Sequence, residues 1–221
     1  MTAGIDTPDH RGRTGLDRAG IGLTGNPRVK VREVELLSSN WYVERATTFD
    51  IQHSDGTWHT ERRETHDRGN GATLLLYDTD RETVLLTRQF RFPAYVNGHP
   101  DGMLVETPAG LLDDAAEHPE HAVRREVVEE TGHTVGEVEH VFDVYMSPGS
   151  VTERISFYAA AYTPATRTHE GGGLAEEGED IEILELPFRR ALEMIRTGEI
   201  ADAKTIMLLQ WAALDGPFAR D

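Results

Sequence analysis

Residues 119–131 read PEHAVRREVVEET, and Gly132 follows. Proline is tolerated at the first helical position, and glycine suits the left-handed position just past the last turn. The pattern predicts a helix over Pro119–Thr131. At about 100° per residue, Val123 and Val127 form an apolar stripe. Glu126, Glu129 and Glu130 share the neighbouring sector, with Ala122 among them. Side chains at i, i+3 and i+4 are neighbours, and like charges there cost an isolated helix a few tenths of a kcal/mol per pair. Glu130 falls beside the valine stripe, at the edge of the core, where a merely solvated acidic face would not place it. The arrangement makes sense where cations neutralise the cluster, with Ala122 leaving room for them.

The charge distribution around this helix points the same way. The 221-residue chain has 22 Lys+Arg against 39 Asp+Glu, a net charge of −17. Gly110–Glu130 holds seven acids and two bases. Glu170–Glu185 holds seven acids and no base, so the two windows account for −5 and −7 of the −17. By composition they are either solvated surfaces or two lobes of a site for hard divalent cations, which prefer carboxylate oxygens. So acidic a chain would be repelled by a nucleic-acid backbone or an anionic membrane. Cysteine is absent, which excludes disulfides, zinc–thiolate sites and thiol nucleophiles. No apolar run approaches the roughly 20 residues that span a bilayer, and residues 1–15 lack the apolar core of a secretory signal. The expectation is a cytoplasmic protein without nucleic-acid or membrane partners.

Along the chain, residues 1–25 lack apolar periodicity and read as a disordered tail. Residues 26–67 hold three β-like runs, starting near Val29, Trp41 and Trp58, with Ser54-Asp55-Gly56 as a hairpin turn. They predict an antiparallel sheet. Residues 68–221 predict strands at Ala72–Tyr77, Thr83–Thr87, Met103–Thr107, Val138–Tyr145 and Ile155–Tyr162. Two further helices are expected, at Phe188–Arg196 and Asp202–Leu214. The fold class is α/β, a mixed sheet sandwiched between helices with an N-terminal antiparallel sheet. The segment Gly171–Glu179, with four glycines, three acids and no base, predicts a flexible loop that stays open until a cation attracts it. The ten histidines show no metal-ligand spacing and read as structural.

The stretch Gly110…Glu117…Arg125-Glu126-Val127-Val128-Glu129-Glu130-Thr131-Gly132 resembles the Nudix box. It departs from that box twice. Six residues rather than five separate Gly110 from Glu117, which puts the role of Glu117 in doubt, and His133 replaces the final aliphatic residue. Pro148, sixteen residues after Gly132, together with Arg88–Arg91, Gly171–Gly173 and Glu179-Asp180-Ile181, is similar to the Nudix pyrophosphatases of nucleoside-diphosphate sugars. Glu61–Thr73, Tyr95–Gly98, Met146–Gly149 and Leu192–Ile200 resemble the GDP-mannose pyrophosphatases within that group. The likeness covers about residues 28–214.

The resemblance implies hydrolysis of a pyrophosphate bond, with GDP-mannose giving GMP and mannose 1-phosphate. ADP-ribose hydrolysis is the alternative substrate reading, and a non-catalytic nucleotide sensor the alternative class. It implies Mg²⁺, with Mn²⁺ as a substitute, held by Glu126, Glu130, Glu129, the Ala109 carbonyl and Glu179. Glu179, or Glu177 two residues earlier, would take the proton from the attacking water. Arg125 would orient the box glutamates unless it is a surface arginine. Arg91 would grip a phosphate. Arg63 would do so too, or is a strand-surface charge. Glu64 and Trp41 would contribute to a nucleotide pocket across a homodimer, although Trp41 suits a core or interface equally. Glu153 would contact the sugar end.

Overall fold

The computed structural model describes residues 25–112, 117–174 and 178–219. The expected N-terminal tail therefore lies almost wholly outside the described residues. By its contacts the chain divides into two compact units.

The first unit contains residues up to Gly71, with Leu111–Glu117 and Val144–Ile155. Strands β1 (Val29–Ser39), β2 (Val43–Gln52) and β3 (Trp58–Asp67) form an antiparallel sheet in the order β1-β2-β3. The Ser54–Gly56 signal does produce the β2–β3 hairpin, with Gly56 at φ 87° and the Asp55 carboxylate accepting the Thr57 N–H at 2.9 Å. Val34, Val43 and Ala46 are buried, whereas Leu36, Leu37, Trp41 and Trp58 are exposed. Arg45 is fully buried and paired with Asp67 at 2.7 Å. His66 extends the pairing to a distant segment: its N–H donates to Ser150 O at 2.8 Å, and its carbonyl accepts the Thr152 N–H at 3.0 Å.

The second unit contains Ala72–Gly110, His118–Asp143 and Ser156–Asp221. Its framework is a seven-stranded mixed sheet. The main path is β10 (Glu182–Pro187), β5 (Thr83–Phe90), β4 (Gly71–Asp78), β9 (Arg154–Ala161) and β8 (Glu139–Tyr145). Two short strands, β6 (Met103–Glu106) and β7 (Ala109–Leu111), pair with β5 and β4. The helices are α1 (Phe92–Val96), α2 (Pro119–Thr131), α3 (Phe188–Thr197) and α4 (Ala203–Leu214).

Strand parity explains the layers. Side chains alternate between sheet faces. Ala72, Leu74 and Leu76 pack with Val123 and Val127 of α2. Thr73, of opposite parity, meets Thr107 at 2.8 Å, and the Thr107 N–H in turn donates to Thr205 Oγ1 of α4 at 2.7 Å. So α2 and α4 cover opposite faces of β4. The predicted helix α2 has the expected bounds, with proline at its start and Gly132 at φ 74° beyond its end.

Four elements were not anticipated from the sequence. The short helix α1, the strand β7 and a 3₁₀ turn at Pro164–Thr166 are each five residues or fewer, too short to show a period. Strand β10 begins inside the second acidic window, at Glu182, and runs two residues past its end. Its alternation of Glu182 and Glu185 with Ile183, Leu184 and Leu186 is sheet pairing against Arg88–Thr83, which the charge had masked.

Candidate active site

Burial of the α2 acids follows the helical wheel. Glu130, beside the valine stripe, is 1% exposed. The side chains of Glu126 and Glu129 are 13% and 25% exposed. The Arg125 guanidinium bridges the latter two, with Nη1 3.1 Å from Glu126 Oε1 and 3.5 Å from Glu129 Oε2. Ala122 differs from expectation. It is fully buried in the core and leaves no room for an ion. Gly110 on β7 makes room for the Glu126 carboxylate itself, since an added Cβ would stand 2.0 Å from Glu126 Oε1.

Glu130 Oε2 is buried and has no hydrogen-bond partner. Desolvation pushes this carboxyl well above the usual carboxylate range. The charges of Glu126 and Glu179 push the same way, and that of Arg91 opposes them. A buried, unpartnered carboxylate oxygen among other carboxylates is costly by itself. The donor set is all hard oxygen, so it fits a divalent cation of the Mg²⁺ or Mn²⁺ type. As the side chains stand, no three acids or histidines among the described residues meet in ready ligating geometry.

Glu179 reaches this cluster through the glycine loop. The last four carbonyls of a helix have no partners within it. Here the Gly172 N–H donates to Glu130 O at 2.9 Å, and the Gly173 N–H to Glu129 O at 3.1 Å. Gly171, at φ 74°, permits the approach, since an added Cβ would lie 2.6 Å from the Thr131 carbonyl carbon. The Leu174 N–H then holds Glu179 Oε2 at 2.9 Å. Gly171–Gly173 are thus docked on the end of α2 rather than forming the open, flexible loop expected from composition, because the helix end supplies acceptors for their N–H groups. Glu177 lies outside the described residues.

Arg91, at the end of β5, donates through Nε to Glu106 Oε2 at 2.8 Å. Glu106 Oε1 accepts from Lys204 at 2.9 Å, and Lys204 also reaches Asp202 at 2.9 Å. Burial pushes the Glu106 carboxyl up, but the Lys204 and Arg91 charges outweigh it and hold the group below its ordinary value. Burial likewise disfavours the Lys204 ammonium, and Glu106 and Asp202 more than offset it. Arg91 is therefore preset by an alternating chain of charges that the sequence reading missed. The available signal was two lone charges, Glu106 and Lys204, inside otherwise apolar segments.

The remaining candidates, apart from Ala109, belong to the first unit. Arg63 and Glu64 are successive on β3, so they point to opposite faces of the sheet. Arg63 pairs with Glu61, and Glu64 lies 3.2 Å from Arg62. Trp41, in the β1–β2 connection, is 55% exposed, which rules out a core role within the chain. Glu153 is buried, with Oε1 3.4 Å from Arg68 Nε. Ala109 is the first residue of β7. Glu117 follows a segment, 113–116, outside the described residues.

Comparison with known proteins decides the family. The NUDIX domain model matches residues 67–209. The chain belongs to the Nudix hydrolase family. The model described as "GDP-mannose pyrophosphatase NudK N-terminal domain" matches residues 28–66. A GDP-mannose pyrophosphatase of Pectobacterium atrosepticum is 52% identical over 192 residues, 87% of this chain and 97% of that protein. Relatives of the same name from Enterobacter sp. and Klebsiella pneumoniae are each 50% identical, covering 87% and 85% of this chain and 98% and 93% of their own length. Nudix enzymes use divalent metals. In this Nudix chain the final aliphatic of the box is replaced by a buried histidine, His133.

Proposed function

We propose that this Nudix hydrolase cleaves the pyrophosphate of GDP-mannose, giving GMP and mannose 1-phosphate. The observation that carries this reading is identity of about 50% to GDP-mannose pyrophosphatases along nearly their whole length, with the box acids Glu126, Glu129 and Glu130 all retained. A sensor that only bound nucleotide would have no use for a buried, unpartnered Glu130.

Glu126 and Glu130 would hold the divalent cation, Mg²⁺ or Mn²⁺, with Glu129, Glu179 and the Ala109 carbonyl completing the set. When bound, it neutralises pyrophosphate charge and lowers the pKa of a water. Arg125 keeps Glu126 and Glu129 oriented. Arg91, preset by Glu106, offers its guanidinium fork to a phosphate. Glu179, held by the Leu174 N–H, takes the proton of the attacking water; Glu177 is the alternative base. Arg63, Glu64, Trp41 and Glu153 are the candidate contacts to nucleotide and sugar. Of Arg63 and Glu64, only one can face a given pocket.

The exposed Leu36, Leu37 and Trp58 on one small sheet, with Trp41 in its β1–β2 connection, support a homodimer through that sheet, since three strands alone bury little. No helix among the described residues is long and apolar enough to cross a membrane. We place the enzyme in the cytoplasm, without nucleic-acid partners, on the grounds of its charge and lack of cysteine.

The test is a panel of nucleoside-diphosphate sugars, including ADP-ribose, incubated with enzyme and Mg²⁺, with products identified by mass. GDP-mannose should give the highest kcat/KM. A preference for ADP-ribose would overturn the substrate assignment, and no turnover of any member would overturn the enzymatic reading.

A further inference from the structure

We propose that His133 is a positioning residue, whose ring pins the turn at 163–169, and with it the glycine loop that presents Glu179, to the end of α2. The inference rests on the proposed role of Glu179.

His133 stands where the box takes an aliphatic side chain, and it is buried as an aliphatic would be. What it adds is a polar contact: Nδ1 lies 3.0 Å from Thr166 Oγ1. Hydrogen accounting fixes the direction of this bond. The Thr166 hydroxyl donates its single proton to Thr163 O at 2.8 Å, so toward His133 it can only accept. The imidazole therefore carries a proton on Nδ1 and donates it. The ring meets Tyr162 edge-on, with centroids 5.3 Å apart and planes at 86°. Tyr162 is itself tied to Glu185 at 2.8 Å. Burial, then the nearby Arg167, hold the imidazole pKa below its ordinary value, in keeping with a neutral donor.

From this bond a ladder runs to the carboxylate. Thr134 N–H donates to Thr166 O at 2.9 Å, and Thr168 N–H to Gly132 O at 2.8 Å. Gly171 N–H donates to His169 Nδ1 at 3.1 Å. Gly172 and Gly173 then cap Glu130 and Glu129, and Leu174 holds Glu179. Most of these are backbone bonds that any sequence could form. Two hydroxyls add to them, Thr134 Oγ1 to Thr166 O at 3.2 Å and Thr168 Oγ1 to Gly132 O at 3.1 Å, but both end on backbone carbonyls, whereas the His133–Thr166 bond joins side chain to side chain and is buried on the histidine side. An aliphatic residue would fill the same space without holding Thr166.

The experiment compares His133→Leu, His133→Asn and Glu179→Gln, with GDP-mannose as substrate and Mg²⁺ titrated. Leucine restores the aliphatic type of the box, so His133→Leu should fold with an unchanged or higher melting temperature. Its kcat should fall about tenfold, equivalent to about 1.4 kcal/mol. KM for GDP-mannose should stay within about twofold, and the Mg²⁺ concentration for half-maximal rate should rise. Asparagine retains an N–H donor at this distance from the backbone and should recover most of the loss. Glu179→Gln should be nearly inactive. Unchanged kcat and Mg²⁺ dependence in His133→Leu, beside an inactive Glu179→Gln, would overturn the clamp and leave the site reading intact. An equal loss in His133→Asn and His133→Leu would also overturn it. A fully active Glu179→Gln would overturn the site reading itself.

Discussion

Replacing Glu130 by glutamine should stabilise the metal-free protein while removing its activity. The carboxylate is 1% exposed, its Oε2 has no hydrogen-bond partner, and burial together with Glu126 and Glu179 disfavours its charge. Leaving one such buried polar atom unsatisfied costs about 1–3 kcal/mol, more when it is charged. Relief of the i, i+4 repulsion from Glu126 adds a few tenths. Glutamine keeps the shape and still leaves a polar amide atom in that place, so only the charge is relieved, and a gain of about 1 kcal/mol is expected in EDTA. For a chain of this size that is a rise in Tm of roughly 2–4 °C. Added Mg²⁺ should reverse the order. A cation at one hundred times its Kd stabilises wild type by about 2.7 kcal/mol, and the variant should respond far less. The assay is thermal or urea unfolding with and without Mg²⁺, alongside turnover of GDP-mannose. Loss of a ligand should cost more than the roughly 10- to 100-fold seen for outer-shell residues. A Glu130→Gln protein less stable than wild type in EDTA would refute the electrostatic reasoning; one that turned over normally would refute the metal assignment.

Three further outcomes are expected. Glu106→Gln should cost about 3–5 kcal/mol at pH 7, because it leaves Lys204 and Arg91 without their shared anion. The Lys204 and Arg91 charges hold the folded carboxyl below its ordinary value, so its contribution is present above the ordinary carboxylate range and is lost as pH falls through the folded value; urea midpoints of variant and wild type should therefore converge in acid, and a constant difference from pH 7 to 3 would contradict this. Gly110→Ala should lower kcat at least about tenfold with little change in Tm, since its Cβ would fall 2.0 Å from Glu126 Oε1, a flexible side-chain end that must swing away; normal turnover would show that this carboxylate position is not needed. Light scattering at micromolar concentration should give a dimer mass, which Leu37→Asp should reduce, and a fully active monomeric wild type would disprove the role given to the N-terminal sheet.

What the sequence revealed and what it hid have physical reasons. Helix α2 was legible to the residue because proline, the valine stripe and Gly132 all mark it locally. The three box acids followed from the same period. Strands β4 and β5 showed as apolar runs. Strand β10 was hidden because its charged and apolar residues alternate within a window dominated by acids. Ala122 was misjudged because a helical wheel gives direction and not the distance to a neighbouring element; only the sheet shows that Ala122 is packed in the core and that Gly110 lies against Glu126. Glu106 and Lys204 were missed because their meaning lies in a pairing across 98 residues. The glycines at 171–173 were read as flexible because composition cannot reveal that the carbonyls of Glu129 and Glu130 would capture their N–H groups. His133 was visible only as a departure from a pattern, and its partner Thr166 lies 33 residues on.

The measurement that bears most directly on the central claim is hydrolysis of GDP-mannose in oxygen-18 water, with both products weighed by mass spectrometry. The account predicts equal amounts of GMP and mannose 1-phosphate, one oxygen-18 in only one of the two phosphates, and no reaction without a divalent cation. Release of GDP and free mannose, or turnover undiminished in EDTA, would contradict it.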